Sequence, residues 1–295
     1  MSAIERYKEY INRQVPDKWY RFRLPSLNRL VGGKGVKGGR LIQVLGSKST
    51  GKTTLAYNLL QETSQTEKIL FVDFERTYDA EYARLLGINT DNIILLKTDT
   101  AEEGLQAAID FVKEGIVLAV IIDSISNIVT ESEIEKDLTE SDKIGAAASL
   151  TTRWLKRIIP VLDNTGALCV VINQYRSNIS TLSRKITKPY GALQLQYQTS
   201  LTIELTRVEN KDDTAKIEAF VEKIKQTGKE RSRVEFYLNH GKGFDLELDI
   251  INLAIEQEVI KKSGKWYYYG DLKANGIEQA RSFPLQEIER LIHVE

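Results

Sequence analysis

Short apolar runs alternate with helical patterns from Leu41 to Asn173. Leu41–Leu45 (LIQVL), Ile69–Glu75 (ILFVDFE), Asn92–Leu96 (NIILL), Val117–Asp123 (VLAVIID) and Ala167–Asn173 (ALCVVIN) are near-continuous hydrophobic runs. Runs of this kind predict strands buried on both faces. Apolar residues at helical spacing fill the intervals, over about Lys52–Gln65, Asp79–Leu86, Thr100–Lys113 and Gly145–Leu162. Gly87 follows the second of these as a C-cap. Glu102 and Glu103 open the third, where the helix dipole favours acids. The alternation predicts an α/β fold: a central, mainly parallel, twisted sheet with helices on both faces.

Both ends depart from that pattern. Residues 1–15 read as a short amphipathic helix with Ile4, Tyr7 and Ile11 on one face, ended by Pro16. One such helix cannot bury its stripe alone, so it packs on this chain or on a neighbouring subunit. After Leu193 the texture becomes β-like, in SLTIELTRV, KIEAFVEKIK and SRVEFYLNH, and reads as an antiparallel extension of the sheet. From Asp245 the chain turns helical, with WYYY (Trp266–Tyr269) between helical stretches. The expected division is an N-terminal oligomerisation helix and linker (1–26), a core (27–244) and a small C-terminal α/β domain (245–295).

Composition narrows the functional classes. Of 295 residues 42% are apolar and 28% charged, as in an ordinary soluble protein with a packed core. Formal net charge is zero, so no global basic field marks a nucleic-acid partner, although charge can be local. With two His and one Cys (Cys169), the chain has no Cys/His zinc set and no intrachain disulfide. The N-terminus is charged throughout, and the longest purely apolar run, Ile116–Ile122, is far short of a membrane span. A cytoplasmic protein with no membrane partner is expected.

Gly46–Thr53 reads GSKSTGKT, which fits G-x-x-x-x-G-K-[ST], with a strand before it and a helix after it. In such a loop Gly46, Ser47, Lys48, Ser49, Thr50 and Gly51 offer backbone N–H groups to phosphate oxygens, and the helix N-terminus adds positive potential. Lys52 reaches the β- and γ-phosphates, and the Thr53 hydroxyl ligates Mg²⁺. The expected ligands are therefore a nucleoside triphosphate and Mg²⁺. Two more strands end in acids, Glu75 and Asp123, and a parallel sheet brings both to its carboxyl edge beside the loop. Asp123 is the expected Mg²⁺-side carboxylate. Glu75 reads as the acid that polarises an attacking water, as a helix cap or as a solvated strand end.

The fifth strand ends in Asn173–Gln174, where an amide either senses the γ-phosphate or bonds a turn. From Asn164 to Ile203 there is no Asp or Glu, while Arg176, Arg184, Lys185 and Lys188 follow the amide. An aperiodic, cationic, hydroxyl-rich stretch beside a nucleotide sensor suits a phosphate-backbone ligand. Lys223 and Lys225 share a strand face and read either as phosphate contacts across an interface or as solvated edge lysines.

Taken together, GSKSTGKTT, VDFERTYDAEYARLLGI, VIIDSISNIVTESEIE, VVINQYRSNI and the closing WYYYGD resemble the RecA family of recombinases, in order and spacing, over most of the chain. The resemblance implies a RecA-like P-loop NTPase core and assigns roles. Glu75 becomes the catalytic carboxylate, assisted by Lys52 and by Gln174 as the switch to DNA. Tyr82 stacks on adenine, with Asp79 and Thr54 also in the ATP site, and Asp123 is the Walker B acid. The first DNA loop becomes about Glu135–Lys143, with Lys143 its contact. The second becomes about Tyr175–Pro189, with Arg176, Ser177, Asn178, Arg184, Lys185, Lys188 and the nearby Gly191 as contacts. Lys223 and Lys225 match lysines that reach ATP on the adjacent subunit, and Tyr197 matches an interface aromatic.

The implied activity is DNA-stimulated ATP hydrolysis coupled to homology search and strand exchange. The implied partners are single-stranded DNA, a homologous duplex, further copies in a helical filament, and single-strand-binding and mediator proteins. There are departures from the family pattern. The first loop is acidic at Glu135, Asp137, Glu140 and Asp142, and the second lacks glycine until Gly191. The compact size and N-terminal segment are similar to bacteriophage-encoded members. A ring-shaped helicase-like motor and a low-turnover recombination mediator are the rival readings.

Overall fold

The computed structural model describes residues 2–6, 8, 16–136, 145–178, 186–189, 193–224 and 230–292, with backbone alone for 176–178, 186–189, 223–224 and 230–231. The parallel part of the sheet is made of β1 (Arg40–Gly46), β2 (Ile69–Asp73), β3 (Ile93–Leu96), β4 (Ala119–Asp123) and β5 (Leu168–Asn173). A short antiparallel pair follows, β6 (Tyr175–Asn178) with β7 (Ile186–Pro189). Then come β8 (Leu201–Lys211), β9 (Thr214–Ile224), β10 (Glu230–Asn239) and β11 (Gly243–Phe244). The nine-stranded sheet runs β11-β10-β9-β8-β1-β5-β4-β2-β3. From β8 to β3 every pair is parallel; from β11 to β8 every pair is antiparallel. The mainly parallel sheet and its antiparallel extension are both as expected from the pattern.

The physical reason lies in burial. Every residue of β2, β4 and β5 is buried, so helices must cover both faces of this region. α2 (Lys52–Leu60) covers one face, packing Leu55, Leu59 and Leu60 against Ile42, Phe71 and Ile121. α4 (Ala101–Lys113) and α5 (Ala146–Thr165) cover the other, packing Leu105, Trp154 and Ile158 against Leu70, Val120 and Val171. The helix expected over Lys52–Gln65 is interrupted, resuming at Thr63–Thr66. α3 (Ala80–Leu85) and α6 (Leu193–Gln198) are short.

The antiparallel side is covered by α1 (Pro25–Leu30) and α7 (Leu246–Glu256). From α7 onward, residues 250–292 carry an apolar cluster of their own, including Ile251, Tyr267 and Ile288. WYYY forms the central strand of a three-stranded sheet, β12 (Lys261–Ser263), β13 (Trp266–Tyr269) and β14 (Leu272–Asn275), followed by α8 (Leu285–Ile292). At the N-terminus, Ala3–Arg6 is helical with Ile4 exposed, and Tyr7 and Ile11 lie outside the described residues. No helix among the described residues is long and apolar enough to cross a membrane.

Candidate nucleotide-binding and hydrolytic site

The register of the parallel strands brings the acids to one edge: Asp73 and Asp123 are Cα partners, and Leu45 partners Asn173. β1 delivers the chain into the loop at Gly46, where a Cβ would meet the Leu205 carbonyl oxygen at 2.6 Å, so backbone packs too close for any side chain. Gly51 starts α2 at φ +86°, a conformation that suits glycine. Thr50 is buried and donates to the Ser47 carbonyl at 3.0 Å. The Lys52 ammonium also donates to the Ser47 carbonyl, at 2.8 Å, so it curls back over the loop. Burial lowers its pKa, while Asp123 and Glu75 pull it upward.

The Thr53 hydroxyl donates to Asp123 Oδ2 at 2.7 Å. Asp123 is almost fully buried, and burial pushes its pKa up to about 7 against the Thr53 hydrogen bond, with Glu75 raising it further. A hydroxyl and a carboxylate converging beside a phosphate loop are hard oxygen donors of the kind Mg²⁺ takes when phosphates complete its shell. No cluster of three or more His, Cys, Asp or Glu suited to a metal exists among the described residues. The residues present thus fit Mg²⁺.

Glu75 is placed by its own backbone, since the Phe74 and Glu75 N–H groups donate to the Asp123 carbonyl at 2.7 and 3.1 Å. Its Oε1 accepts from Ser124 Oγ at 2.8 Å and from the Gln174 amide nitrogen. Ser124 Oγ in turn meets Ser126 Oγ at 2.7 Å. The Glu75 carboxylate and the Gln174 amide are therefore in direct contact.

These groups line one cleft of about 250 Å³, whose floor comes from Lys48, Ser49, Gly51, Lys52, Thr53 and Thr54. Glu75, Tyr82, Asp123 and Gln174 face it. The Tyr82 hydroxyl meets Thr54 Oγ1 at 2.8 Å. Asp79, expected in the nucleotide site, has a structural role in the helix that carries Tyr82. Its carboxylate caps α3, accepting from the Glu81 and Tyr82 N–H groups at 2.8 and 3.0 Å, and it is not among the residues lining the cleft. It positions Tyr82 through the helix.

Sequence reasoning missed two contributions. Leu238, Asn239, His240 and Gly241, at the turn between β10 and β11, form a wall of the same cleft. The Arg207 guanidinium, from β8, donates to the Ser49 carbonyl and holds the loop from outside. Neither belongs to a local motif; each reaches the loop through sheet order alone.

The cationic stretch after Gln174 is not wholly aperiodic. β6 and β7 pair, with Arg176 opposite Lys188 and Asn178 opposite Ile186. Each arm is too short to show alternation along the sequence, so its strand character appears only in the pairing. Arg176, Ser177, Asn178 and Lys188 lie on these arms; Arg184, Lys185 and Gly191 lie outside the described residues. Of the first expected loop, Glu135 and Lys136 are described and Lys143 is not. Lys223 sits on β9 as the Cα partner of Thr202 and Glu230, and Lys225 lies outside the described residues. Tyr197, on α6, is 65% exposed.

Residues 24–244 match the family model described as the RecA N-terminal domain. The chain is 33% identical over 264 residues to Protein RecA of Salinispora arenicola, covering 88% of this chain and 76% of that protein. It is 31% identical over 273 residues to Protein RecA of Mycobacteroides abscessus, covering 90% and 78%. A crystal structure of the RadB recombinase superposes with a TM-score of 0.56 at 23% identity, over 74% of this chain and 95% of that one, a likeness of fold.

Proposed function

The chain belongs to the RecA family, and from that premise we propose that it is an ATP-dependent homologous-recombination protein. It forms a helical filament on single-stranded DNA, searches a homologous duplex and exchanges strands, with DNA-stimulated ATP hydrolysis. The observation that carries this reading is the chain of contacts from Ser124 through Glu75 to Gln174, which ends where the cationic hairpin begins.

Lys52 binds and orients the β- and γ-phosphates, while Thr53 and Asp123 would hold Mg²⁺. When bound, the metal would supply positive charge against the phosphates. Glu75, fixed by Ser124, orients a water and takes its proton. Gln174 shares the Glu75 oxygen, so a γ-phosphate arriving at the cleft competes for the same amide. Losing that phosphate returns Gln174 to Glu75 and releases the neck of the hairpin, weakening DNA binding. Arg176, Lys188 and their neighbours contact the DNA backbone. Lys223 and Lys225 reach ATP on the adjacent subunit, and Tyr197 packs in the same interface.

The setting is the bacterial cytoplasm, with single-strand-binding and mediator proteins as further partners. A bacteriophage origin, expected from the compact chain, draws no support from the bacterial relatives and plays no part in the reading. ATPase assays with and without single-stranded DNA test it: stimulation is expected, and equal rates would remove the coupling. Affinity should fall with salt at a slope of about −0.7 per phosphate contact. Electron microscopy with a non-hydrolysable ATP analogue and DNA should show helical filaments; closed rings would favour the motor instead.

A further inference from the structure

Gln43 is the residue of β1 that its surroundings explain least. It is 1% exposed, and neither its amide nitrogen nor its amide oxygen has a hydrogen-bond partner among the described residues. Several other buried polar side chains are engaged, Asn28 with the Phe22 backbone, Asp73 with the Thr77 and Tyr78 N–H groups, Thr151 with the Ala147 carbonyl, while the Trp154 indole N–H shares the unpaired state of Gln43. An unpaired buried amide costs stability, and an apolar side chain of the same shape would not. Such violations concentrate where function requires them.

Its position supplies a reason. By strand alternation Gln43 shares a face with Leu41, which packs in the cluster under α4 and α5. Its Cα partners are Val171 on β5 and Thr202 on β8. β1 runs on into the phosphate loop, and β5 runs on to Gln174. β8 begins just after α6, the helix on the far side of the hairpin segment. Thr202 Oγ1 meets Thr199 Oγ1 at 3.3 Å, and Thr199 Oγ1 donates to the Gln196 carbonyl at 3.2 Å, so the end of α6 is tied to β8. Further along β8, the Glu204 carboxylate accepts from the Tyr175 hydroxyl, at the first residue of β6. A polar seam from Gln43 through Thr202 to Glu204 thus joins the strand under the phosphate loop to both sides of the hairpin.

We propose that Gln43 is a positioning residue whose amide gains a partner on this seam when Gln174 draws β6 toward the γ-phosphate, coupling nucleotide occupancy to the DNA-facing hairpin. The inference rests on the reading that this hairpin binds single-stranded DNA. A penalty present in the free form and relieved in the ATP form tilts the equilibrium toward the latter, and the difference is available as coupling.

Gln43→Leu in the full chain tests this. The nucleotide-free variant is expected to melt about 2–4 °C higher than wild type, because an unpaired amide is gone. ATP affinity is expected to stay within about twofold. The gain in single-stranded DNA affinity that a non-hydrolysable ATP analogue produces should shrink about fivefold or more. Thr202→Val, which keeps the shape of the seam and removes its hydroxyl, should shrink the same gain without raising the melting temperature, and it carries the test if Gln43→Leu does not fold. An unchanged gain in the variants, with the melting temperature raised or lowered, overturns the inference. A wild-type protein that gains no DNA affinity with the analogue overturns the functional reading, and this inference falls with it.

Discussion

The parallel and antiparallel regions of the sheet share one hydrogen-bonded ladder but are built by different rules. In the parallel region β2, β4 and β5 are buried along their whole length, and their carboxyl ends carry Asp73, Asp123 and Asn173 to one edge. In the antiparallel region β8 alternates between buried and half-buried positions from Leu201 to Leu205 and is exposed beyond. The first region holds the phosphate end of the cleft on rigid strand tips. The second contributes Arg207 and the wall at residues 238–241. Chemistry is thus anchored where both faces are covered, and the parts that shape access hang on the half-covered side.

The comparison breaks most readily at Glu75. Glu75→Gln is expected to lower ATP turnover by roughly 10²–10⁴, the range for removing a general base, while nucleotide affinity changes little. Steady-state rates beside equilibrium binding give both numbers, and turnover within threefold of wild type would leave the tip without its assigned role.

Burial should separate the regions next. Phe71→Ala empties a fully buried site on β2, where the ring sits edge-on to Tyr78 with centroids 5.1 Å apart. It should cost about 3–5 kcal/mol in denaturant unfolding. Val208→Ala, at an exposed position of β8, should stay within about 0.5 kcal/mol. Equal losses would erase the distinction.

A smaller effect probes the cover of the antiparallel side. Asp249, on α7, accepts from the Ser26 hydroxyl and N–H at 2.5 and 3.0 Å. Burial raises its pKa to about 6 from an ordinary 3.8, with the Ser26 hydrogen bonds opposing and Asp245 adding to the rise. A carboxyl whose folded pKa is raised stabilises the fold fully below the unfolded value, and the contribution is lost as pH rises through the folded value. The stability difference between wild type and Asp249→Asn should therefore shift against wild type between about pH 4 and 6, by of order 2 kcal/mol. Thermal melts of both proteins across that range measure it, and a constant difference would deny the shift.

The smallest change expected is at Arg207. Arg207→Ala frees the Ser49 carbonyl at an exposed contact, so KM for ATP should rise less than tenfold with kcat nearly kept. A large fall in kcat instead would place Arg207 in the chemistry.

The legible parts of the fold and site are those with local signatures. Gly46–Thr53 announces itself because strand, glycines, lysine and helix are contiguous, and Glu75 and Asp123 follow because each terminates an apolar run. Asp79 was legible as part of the same stretch as Tyr82, but its exposed carboxylate caps α3, a choice made by two nearby N–H groups. The hairpin arms at Tyr175–Asn178 and Ile186–Pro189 carry too few residues to reveal a period. The wall at 238–241 and the orphaned amide of Gln43 have no local sign at all.

The sequence by itself determined the α/β class, the phosphate loop, and the strand-end positions of Glu75, Asp123 and Gln174, because periodicity and strand-end chemistry are properties of neighbours along the chain. The tertiary structure alone decided which distant segments complete the cleft, that Gln174 shares an oxygen with Ser124 on Glu75, and that Gln43 is buried without a partner. These depend on strand order and register across the sheet, where residues far apart in the chain are brought together by backbone pairing that side-chain patterns do not encode.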